Sequence, residues 1–425
     1  MRPEQLLERG RSLIEDYPST FRKLVVVTFI DHLGGALLFP FFALYITSKF
    51  NVGMTQVGVL FAAFSFSSFI GTTIGGALTD RIGRRSMLIF SLVSTSLSSV
   101  AMGLVESLEM FYVLALLVGI FTDTGGPARQ AMVADLLPKE QHAQGFGIIR
   151  VAFNISATIG PAIGGFLASR SYLLLFIADA IISLISAVIV WRTLPETKPT
   201  LQQGEVQESV GGTFRGYFVV LRDSPFMIFL IASILMGLVY MNFGTTLGVY
   251  LRDVHGVPES GYGFILSLNA VMVVVLQFWV TRRIEGYSPM LMMAIGTFLY
   301  ALGFAMYGFV SVYVLFLFAM VVITIGEMLV APVSQAIVAR FAPEEMRGRY
   351  MAVFGFSFGI PFAIGPLMAG LVLDNLDPRI LWWSAGVVGL IAVFIFLQLH
   401  RRSLTQPEHG QVIDARSQTM RGNEP

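Results

Sequence analysis

The chain has 425 residues, of which 55% are apolar and only 13% are charged, and its net charge is +1. Because soluble domains carry about 25% charged residues, these values exclude an ordinary soluble domain, a disordered chain and a strongly basic nucleic-acid-binding protein. The sequence has no Cys and five His, which excludes disulfides, thiolate metal sites and Cys catalysis and leaves little for a multi-His metal centre. We expect neither a metal nor a cofactor.

Twelve apolar runs are long enough to cross a bilayer, which takes about 20 residues per helix. In chain order they are predicted at 23–48, 54–78, 87–105, 110–137, 145–168, 172–193, 225–251, 259–280, 289–309, 312–341, 349–373 and 379–399. Barrel strands would alternate in polarity over about 10 residues, and the runs show no such alternation. The expected fold is therefore an all-α integral membrane protein with twelve transmembrane helices.

The distribution of positive charge predicts the orientation of the chain. With an even number of spans both termini lie on one side, and most of the 28 Lys and Arg residues fall on that side. Only Lys49, Arg170, Arg252 and Arg379 fall on the other side. By the positive-inside rule, we expect a multi-pass protein of the cell (inner or plasma) membrane with both termini in the cytoplasm.

The longest polar interruption, at 194–224, separates six spans from six. This division predicts a cytoplasmic N-terminal segment at 1–22, six-helix bundles at 23–193 and 225–399, and a cytoplasmic tail at 400–425. The interruption itself is then a cytoplasmic linker.

The two bundles also repeat in sequence. Matching residues lie 205 positions apart: Tyr45 and Tyr250, Gly58 and Gly263, Pro127 and Pro332, Pro138 and Pro343, and Gly160-Pro161 and Gly365-Pro366. Since each bundle has six spans, the halves have parallel topology and are pseudo-symmetric about an axis along the membrane normal. Many transporters are built in this way and bind substrate near the midplane, where the repeats meet.

The loop between spans 2 and 3 carries the most specific motif. It reads Gly76-Ala77-Leu78-Thr79-Asp80-Arg81-Ile82-Gly83-Arg84-Arg85. This stretch resembles the loop 2–3 signature of the major facilitator superfamily, G-x-L-x-D-R-x-G-R-R/K, at every defined position. The resemblance implies twelve helices in two pseudo-symmetric six-helix bundles that transport small molecules by alternating access. A simpler interpretation is that the arginines only set the topology.

Each residue of this motif has a physical interpretation. Gly76 permits close helix packing, and Gly83 permits a tight turn. Asp80 faces the positive end of a neighbouring helix, and Arg84 bridges it to another carboxylate. In the family that carboxylate lies at the cytoplasmic end of span 4, where this sequence has Asp135.

Span 5 carries a second family motif. It has Gly147, Ser156, Gly160-Pro161, Gly164 and Gly165, and it resembles the drug:proton antiporter motif G-x8-G-x3-G-P-x2-G-G with Ser156 in place of one glycine. Small residues allow helix backbones to touch and Pro bends a helix, so this face is a candidate for a tight contact between the halves. Gly and Pro are also simply common in membrane helices.

Two further features qualify the resemblance. Gly365-Pro366 in span 11 is related to the span 5 motif and suggests a hinge in both halves. The Arg that the family usually carries in the outer half of span 4, often linked to proton coupling, is replaced by Ala115. Proton coupling, if it occurs, must use other groups.

Ionisable residues inside membrane spans are costly and are functional candidates. The sequence places seven there: Asp31, His32, Asp123, Arg129, Arg150, Asp179 and Glu327. Because a helix rises by about 1.5 Å per residue, Asp31 has a depth similar to those of Arg129 and Arg150, so either arginine can pair with it. Such a pair can serve transport or merely lock the first half together.

Glu327 and Asp123 lie near the middle of spans 10 and 4, at almost equivalent positions of the repeat. Burial disfavours a charged carboxylate, so such a group can carry a proton. We expect Glu327 to be the first candidate for coupling, followed by Asp123 and then Asp31, because Glu327 has no evident partner at its depth. Asp179 lies in the peripheral span 6, where a structural role is favoured.

The leading function is proton-coupled export of hydrophobic or cationic drugs, with a small-molecule substrate, protons and the lipid bilayer as partners and a monomer as the working unit. The alternatives are a carrier for a defined metabolite, such as a sugar, peptide or lysolipid, and a non-transporting membrane receptor. We do not expect an enzyme, since no nucleophile constellation or nucleotide motif occurs.

Overall fold

A computed structural model describes residues 17–122, 124–138, 141–197, 217–284, 286–343 and 346–405. These residues are almost entirely helical, and no strand occurs among them. Twelve of the helical segments are long and apolar enough to cross a membrane. The prediction of an all-α protein with twelve transmembrane helices is therefore confirmed.

The first six spans follow the predicted order. They are Ser19–Phe50 (span 1), Met54–Ile82 (span 2), Arg84–Leu104 (span 3), Leu108–Thr122 with Gly125–Leu136 (span 4), His142–Ala168 (span 5) and Tyr172–Thr193 (span 6). The two helical segments of span 4 lie on either side of residue 123, and Pro127 is the third residue of the second segment.

The second six spans are similarly placed. They are Ser224–Thr245 with Leu247–His255 (span 7), Glu259–Ile284 (span 8), Pro289–Tyr307 (span 9), Tyr313–Phe341 (span 10), Arg347–Phe354 with Phe356–Asn375 (span 11) and Arg379–Thr405 (span 12). Span 11 is interrupted at Gly355, and its helix continues through Gly365 and Pro366. Gly160 and Pro161 likewise lie inside the unbroken helix of span 5. The proposed hinges are thus not breaks in the helices, and their motion stays a prediction.

The helix boundaries repeat with the same period as the sequence. Five pairs of helix starts are separated by that period: Ser19 and Ser224, Met54 and Glu259, Arg84 and Pro289, Leu108 and Tyr313, and His142 and Arg347. The C-caps Asn51 and Gly256 have the same spacing, and both adopt left-handed backbone conformations with φ of 52° and 65°. Asn and Gly are the residues that tolerate this conformation best. The period found in the sequence is therefore also the spacing of these helix starts and of this pair of helix ends.

Large apolar side chains cover the surface of the spans. Phe69 in span 2 is 71% exposed and Leu97 in span 3 is 67% exposed. Phe278 in span 8 and Phe394 in span 12 are similarly exposed. Apolar patches of this extent are unfavourable in water but match the hydrocarbon core of a bilayer. Many of the apolar residues that exclude a soluble domain thus lie on the outer surface of the spans, where lipid can contact them.

The described helices belong to two compact units. The first comprises Met1–Gln203, Phe243–Val271 and Pro366–Asp374, and the second comprises Gly204–Asn242, Met272–Gly365 and Asn375–Pro425. The first unit therefore joins the six N-terminal spans to three neighbouring pieces of chain: the end of span 7, the first half of span 8 and the end of span 11. The predicted boundaries at 23–193 and 225–399 follow the sequence repeat and remain a prediction.

Candidate functional site

A charged cluster lies inside the first unit, on spans 1 and 4. The Arg129 guanidinium donates from Nη2 to Asp31 Oδ2 at 2.5 Å and from Nη1 to His32 Nε2 at 2.9 Å. The side chains of Arg129 and Asp31 are only 14% and 16% exposed. Of the two arginines predicted as partners, the structure selects Arg129, whereas Arg150 is exposed.

The geometry also determines the state of His32. A guanidinium has only donors, so His32 Nε2 must be the acceptor and the ring must be neutral with its proton on Nδ1. The ring also packs edge-on against Phe153 of span 5, with centroids 3.7 Å apart. The cluster thus holds one positive and one negative charge and a neutral imidazole. Asp123, the other predicted acid of span 4, lies outside the described residues.

A second buried carboxyl lies in the second unit. Tyr240 Oη of span 7 donates to Glu327 Oε1 of span 10 at 3.0 Å. The ring of Tyr240 is tilted against that of Tyr300 in span 9, with centroids 5.3 Å apart. The sequence predicted no partner at the depth of Glu327, and that prediction is wrong. The hydroxyl was missed because it lies 87 residues away on another helix.

The loop 2–3 motif makes the tight turn that was predicted. Gly83 has φ 117° and joins the helices of spans 2 and 3 without an intervening loop. A Cβ at this position would lie 2.5 Å from the Glu196 carboxyl group. Glu196 accepts from the backbone N–H of Arg85 at 3.2 Å, so it compensates the free amides at the start of span 3. Glu196 follows span 6. In the sequence it could be recognised only as an acidic residue on the same side of the membrane as the loop 2–3 motif.

Arg84 forms the ion pair that the resemblance implied. Its Nε lies 3.0 Å from Asp135 Oδ2, and the Arg84 side chain is 7% exposed. Thr197 Oγ1 donates to the same carboxylate oxygen at 2.9 Å. The side chain of Asp80 lies outside the described residues, so its predicted bridge to Arg84 stays a prediction.

Among the described residues, Gly75 rather than Gly76 makes the close helix contact. A Cβ on Gly76 would meet no heavy atom of the described residues within 4 Å. The close approach occurs one residue earlier, since a Cβ on Gly75 would lie 2.5 Å from the Thr124 Cα. The motif pattern identified the correct turn of helix but not the residue that faces span 4. Arg81 is exposed on the same loop, and Arg85 donates to the Trp191 carbonyl oxygen.

The small-residue face of span 5 packs mainly against span 1. A Cβ on Gly160 would lie 2.5 Å from the Ala36 Cβ, and one on Gly164 would lie 2.2 Å from the Leu37 carbonyl oxygen. Ser156, which replaces a motif glycine, lies 2.8 Å from the Phe29 carbonyl oxygen. This face was predicted to join the two halves of the chain. It instead joins helices of one half at these positions, because the Gly spacing cannot tell which neighbour it meets.

Two glycine contacts do join distant parts of the chain within the first unit. A Cβ on Gly165 of span 5 would lie 2.9 Å from the Gly263 Cα of span 8. A Cβ on Gly370 of span 11 would lie 2.4 Å from the Met54 carbonyl carbon of span 2. Gly165 and Gly370 are separated by one period of the repeat, so the two contacts are counterparts. Backbones that approach this closely leave no space for any side chain.

Asp374 strengthens the contact of span 11 with span 2. Its carboxylate oxygens accept from the backbone N–H groups of Met54 and Thr55 at 2.9 and 2.7 Å. These are the first amides of the span 2 helix, where a negative charge is stabilising. Gly53 leaves room for the carboxylate, since a Cβ there would lie 2.4 Å from Asp374 Oδ2.

Polar contacts at the same end of the first unit also involve span 7. Arg252 donates to the Leu44 carbonyl oxygen at 3.1 Å and to Thr47 Oγ1 at 2.9 Å, both on span 1. Tyr172 Oη of span 6 donates to Glu259 Oε1 of span 8 at 2.6 Å. One end of the first unit therefore combines three kinds of contact. These are the glycine contacts, the Asp374 carboxylate at the start of span 2, and the hydrogen bonds from Arg252 to span 1. No group of three or more His, Asp or Glu side chains able to hold a metal occurs in the described part of the chain.

Comparisons with known proteins agree with this architecture. The sequence pattern of the Major Facilitator Superfamily matches residues 24–330 and 229–420. A Na(+), Li(+), K(+)/H(+) antiporter of Planococcus maritimus is 26% identical over 418 residues, which cover 90% of this chain and 96% of that protein. Multidrug resistance protein 1 of Bacillus subtilis (strain 168) is 25% identical over 360 residues, which cover 84% of this chain and 90% of that protein.

Solved structures with different substrates share the fold. A POT family transporter in complex with 5-aminolevulinic acid has a TM-score of 0.76 at 16% identity and covers 92% of this chain and 99% of its own. The nucleoside transporter NupG has a TM-score of 0.73 at 15% identity and covers 90% of this chain and 99% of its own. At such identities the likeness shows the fold and says nothing of the substrate.

Twelve helices that can cross a membrane, together with this family match, define a multi-pass membrane transporter. The chain belongs to the Major Facilitator Superfamily, which its sequence matches along nearly its whole length. Its substrates are therefore small molecules that it moves across the cell membrane.

Proposed function

We propose that this transporter exports hydrophobic or cationic molecules in exchange for protons by alternating access. The observation that carries the proposal is Glu327, a carboxyl group in the middle of span 10 whose Oε1 accepts a hydrogen bond from Tyr240. Ionisable groups at this depth are usually functional. A carboxyl that is neutral when buried and charged when a cation approaches provides competition between proton and substrate. The multidrug resistance relative supports this class of substrate.

The expected result for Glu327→Gln is loss of proton-driven accumulation with retention of downhill exchange, because Gln resembles the protonated acid and cannot release a proton. The assay is uptake of a fluorescent lipophilic cation into inside-out vesicles with and without an imposed proton gradient. Glu109→Gln is the matched control, since Glu109 is an exposed acid in the first turn of span 4. Uphill, proton-dependent accumulation by Glu327→Gln at the wild-type rate would exclude Glu327 as the proton carrier.

A second candidate is exchange of monovalent metal cations for protons. The Planococcus maritimus relative, named as a Na(+), Li(+), K(+)/H(+) antiporter, favours it. The same vesicles distinguish the two candidates when the interior pH is followed during pulses of sodium, lithium or potassium salt. Proton release on these pulses, without any effect of the lipophilic cation, would replace the first candidate by the second.

For the orientation, we propose that both termini lie in the cytoplasm. Arg84 and Arg85 at the start of span 3 and Arg282 and Arg283 at the end of span 8 then face the cytoplasm, as the positive-inside rule requires. A reporter fused after Val254, between spans 7 and 8, should then be active outside the cell. Activity of that fusion in the cytoplasm would invert the topology.

For the mechanism, we infer that the contacts made by Asp374, Arg252, Gly165, Gly263 and Gly370 form the outer gate, and we use that name for these five residues. In the proposed orientation this end of the first unit faces the exterior. The contacts are short polar bonds and backbone approaches, which can part without breaking a helix. Opening this gate while the cytoplasmic end closes would give alternating access.

A further inference from the structure

Asp179 is a buried carboxyl in span 6 that the proposed transport mechanism does not use. It is 4% exposed, and its Oδ2 accepts a hydrogen bond from the Ser99 hydroxyl of span 3. A Cβ on Gly34 of span 1 would lie 2.5 Å from Asp179 Oδ1. The carboxyl group is therefore enclosed by the helices of three spans.

No basic side chain compensates Asp179 among the described residues. Ser99 donates a hydrogen bond to it, and the other ionisable group that acts on it is Asp31, an acid that is bonded to Arg129. Span 3 has its only basic residues, Arg84 and Arg85, at the start of the helix, about 20 Å from Ser99 at the usual helical rise per residue. Arg150 of span 5, which also packs on span 6, is exposed.

An isolated carboxylate is unfavourable in such surroundings, because burial of a charge requires a paired charge or several donors. Among the described residues Asp179 has one donor, the Ser99 hydroxyl, and the carboxyl group of Asp31 lies close enough to repel a negative charge on it. The neutral acid satisfies this geometry better than the anion. The structural role favoured from the sequence does not explain why an acid, rather than an Asn or a Ser, occupies the position.

Unpartnered hydroxyl groups continue from Asp179 along span 6. Ser183 and Ser186 follow it at intervals of four and seven residues, which place all three on one helix face. Both serines are completely buried, and their Oγ atoms have no hydrogen-bond partner among the described residues. Thr28 of span 1 is equally buried and its Oγ1 is equally unpartnered.

The antiparallel arrangement of spans 1 and 6 places these hydroxyls together. Gly34 opposes Asp179, so Thr28, six residues earlier, lies at about the level of Ser186. Val27 and Ala187 belong to the same buried cluster, which agrees with this register. Buried polar groups without protein partners are normally bonded to water. The three hydroxyls thus outline a path from Asp179 to the end of the bundle where Arg84 lies.

We propose that Asp179 is a proton-binding residue that exchanges its proton with the cytoplasmic end of the first bundle through Thr28, Ser183, Ser186 and bridging water. The proton leaves a carboxyl oxygen for the nearest water, and the carboxylate that remains keeps the Ser99 hydrogen bond. Its charge then lies beside Asp31 and competes for Arg129, which links the proton to the charged cluster of spans 1 and 4. This inference rests on the proposed proton-coupled function.

Infrared difference spectroscopy of the reconstituted full-length protein tests the proposal, since it detects protonated carboxyl groups without any transport. The wild type should show a protonated-carboxyl band that is missing in Asp179→Asn and shifted in Asp179→Glu. Ser183→Ala should keep the band and slow its hydrogen–deuterium exchange about tenfold, as expected when one hydrogen-bonded step is lost. Ser233→Ala is the matched control, because Ser233 is buried but already bonded to the Phe229 carbonyl oxygen.

If Asp179→Asn folds and its protonated-carboxyl band is unchanged, the proposal is overturned. If Asp179→Asn does not fold, an unshifted band in Asp179→Glu overturns it. If the band is assigned to Asp179 but no proton gradient drives transport, the proposed function fails and the proton site stands. If Glu327→Gln abolishes coupling while the band is unaffected by Asp179→Asn, only the inference about Asp179 fails.

Discussion

Replacement of Arg129 by Gln is expected to destabilise the protein by about 3–5 kcal/mol, the usual effect of removing one partner of a buried ion pair. The Asp31 side chain is only 16% exposed and would lose the Nη2 donor that now compensates its carboxylate. His32 Nε2 would lose the hydrogen bond that Arg129 Nη1 now donates to it. Because the proposed proton site at Asp179 is linked to this cluster through Arg129, proton-driven accumulation should be lost as well. Thermal unfolding of the purified protein in detergent measures the first effect, and vesicle uptake measures the second.

Two variants make this result interpretable. Asp31→Asn/Arg129→Gln removes both charges and should recover much of the stability, since a neutral pair is far less costly than a lone buried charge. Arg150→Gln is the matched control, because Arg150 has a similar depth but is exposed, and it should change stability by no more than about 0.5 kcal/mol. Wild-type stability of Arg129→Gln would show that the Asp31 carboxylate does not depend on this arginine.

Replacement of Gly370 by Leu is expected to hold the outer gate open. A Cβ at Gly370 would lie 2.4 Å from the Met54 carbonyl carbon and 2.5 Å from the Thr55 nitrogen. Both are backbone atoms of span 2 that cannot move aside as a flexible side chain would. Overpacking of this kind costs about 1–3 kcal/mol, which corresponds to a shift of about 5- to 150-fold in the ratio of closed to open states. Transport should fall by a similar factor while the protein remains folded.

Spin labels on spans 2 and 11 near Met54 and Gly370 measure the gate directly. Their distance distribution should move to longer values in Gly370→Leu. Gly359→Leu, in the same span, is the matched control, because a Cβ at Gly359 meets no described heavy atom within 4 Å. Unchanged distances and wild-type transport in Gly370→Leu would show that the approach of spans 2 and 11 is not part of the transport cycle.

The sequence predicted the spans and their repeat closely. Span 6 was predicted at 172–193 and occurs at Tyr172–Thr193, and the sequence period recurs in five pairs of helix starts. Both depend on local properties, namely apolar runs long enough for a bilayer and the residues that end helices. Gly83 was also predictable, since a tight turn requires a residue that tolerates positive φ.

The candidate site was predictable only in part. Depth along a helix follows from residue number, and it limited the partners of Asp31 to Arg129 or Arg150. The choice between them depends on the rotation of the helices about their axes, which a fixed rise per residue does not determine. The same rotation explains why Gly75 rather than Gly76 meets Thr124, and why the span 5 glycines at 160 and 164 meet span 1.

The sequence by itself determined which segments cross the membrane, that they repeat, and which ionisable groups lie inside them, because a bilayer imposes length and polarity on each helix separately. Only the tertiary structure decided which groups meet. Tyr240 bonds Glu327 across 87 residues, Glu196 caps span 3 across 111, and Asp374 caps span 2 across 320. Such pairs form because helices pack side by side, and no local pattern in the chain specifies the neighbour that a given helix face will have.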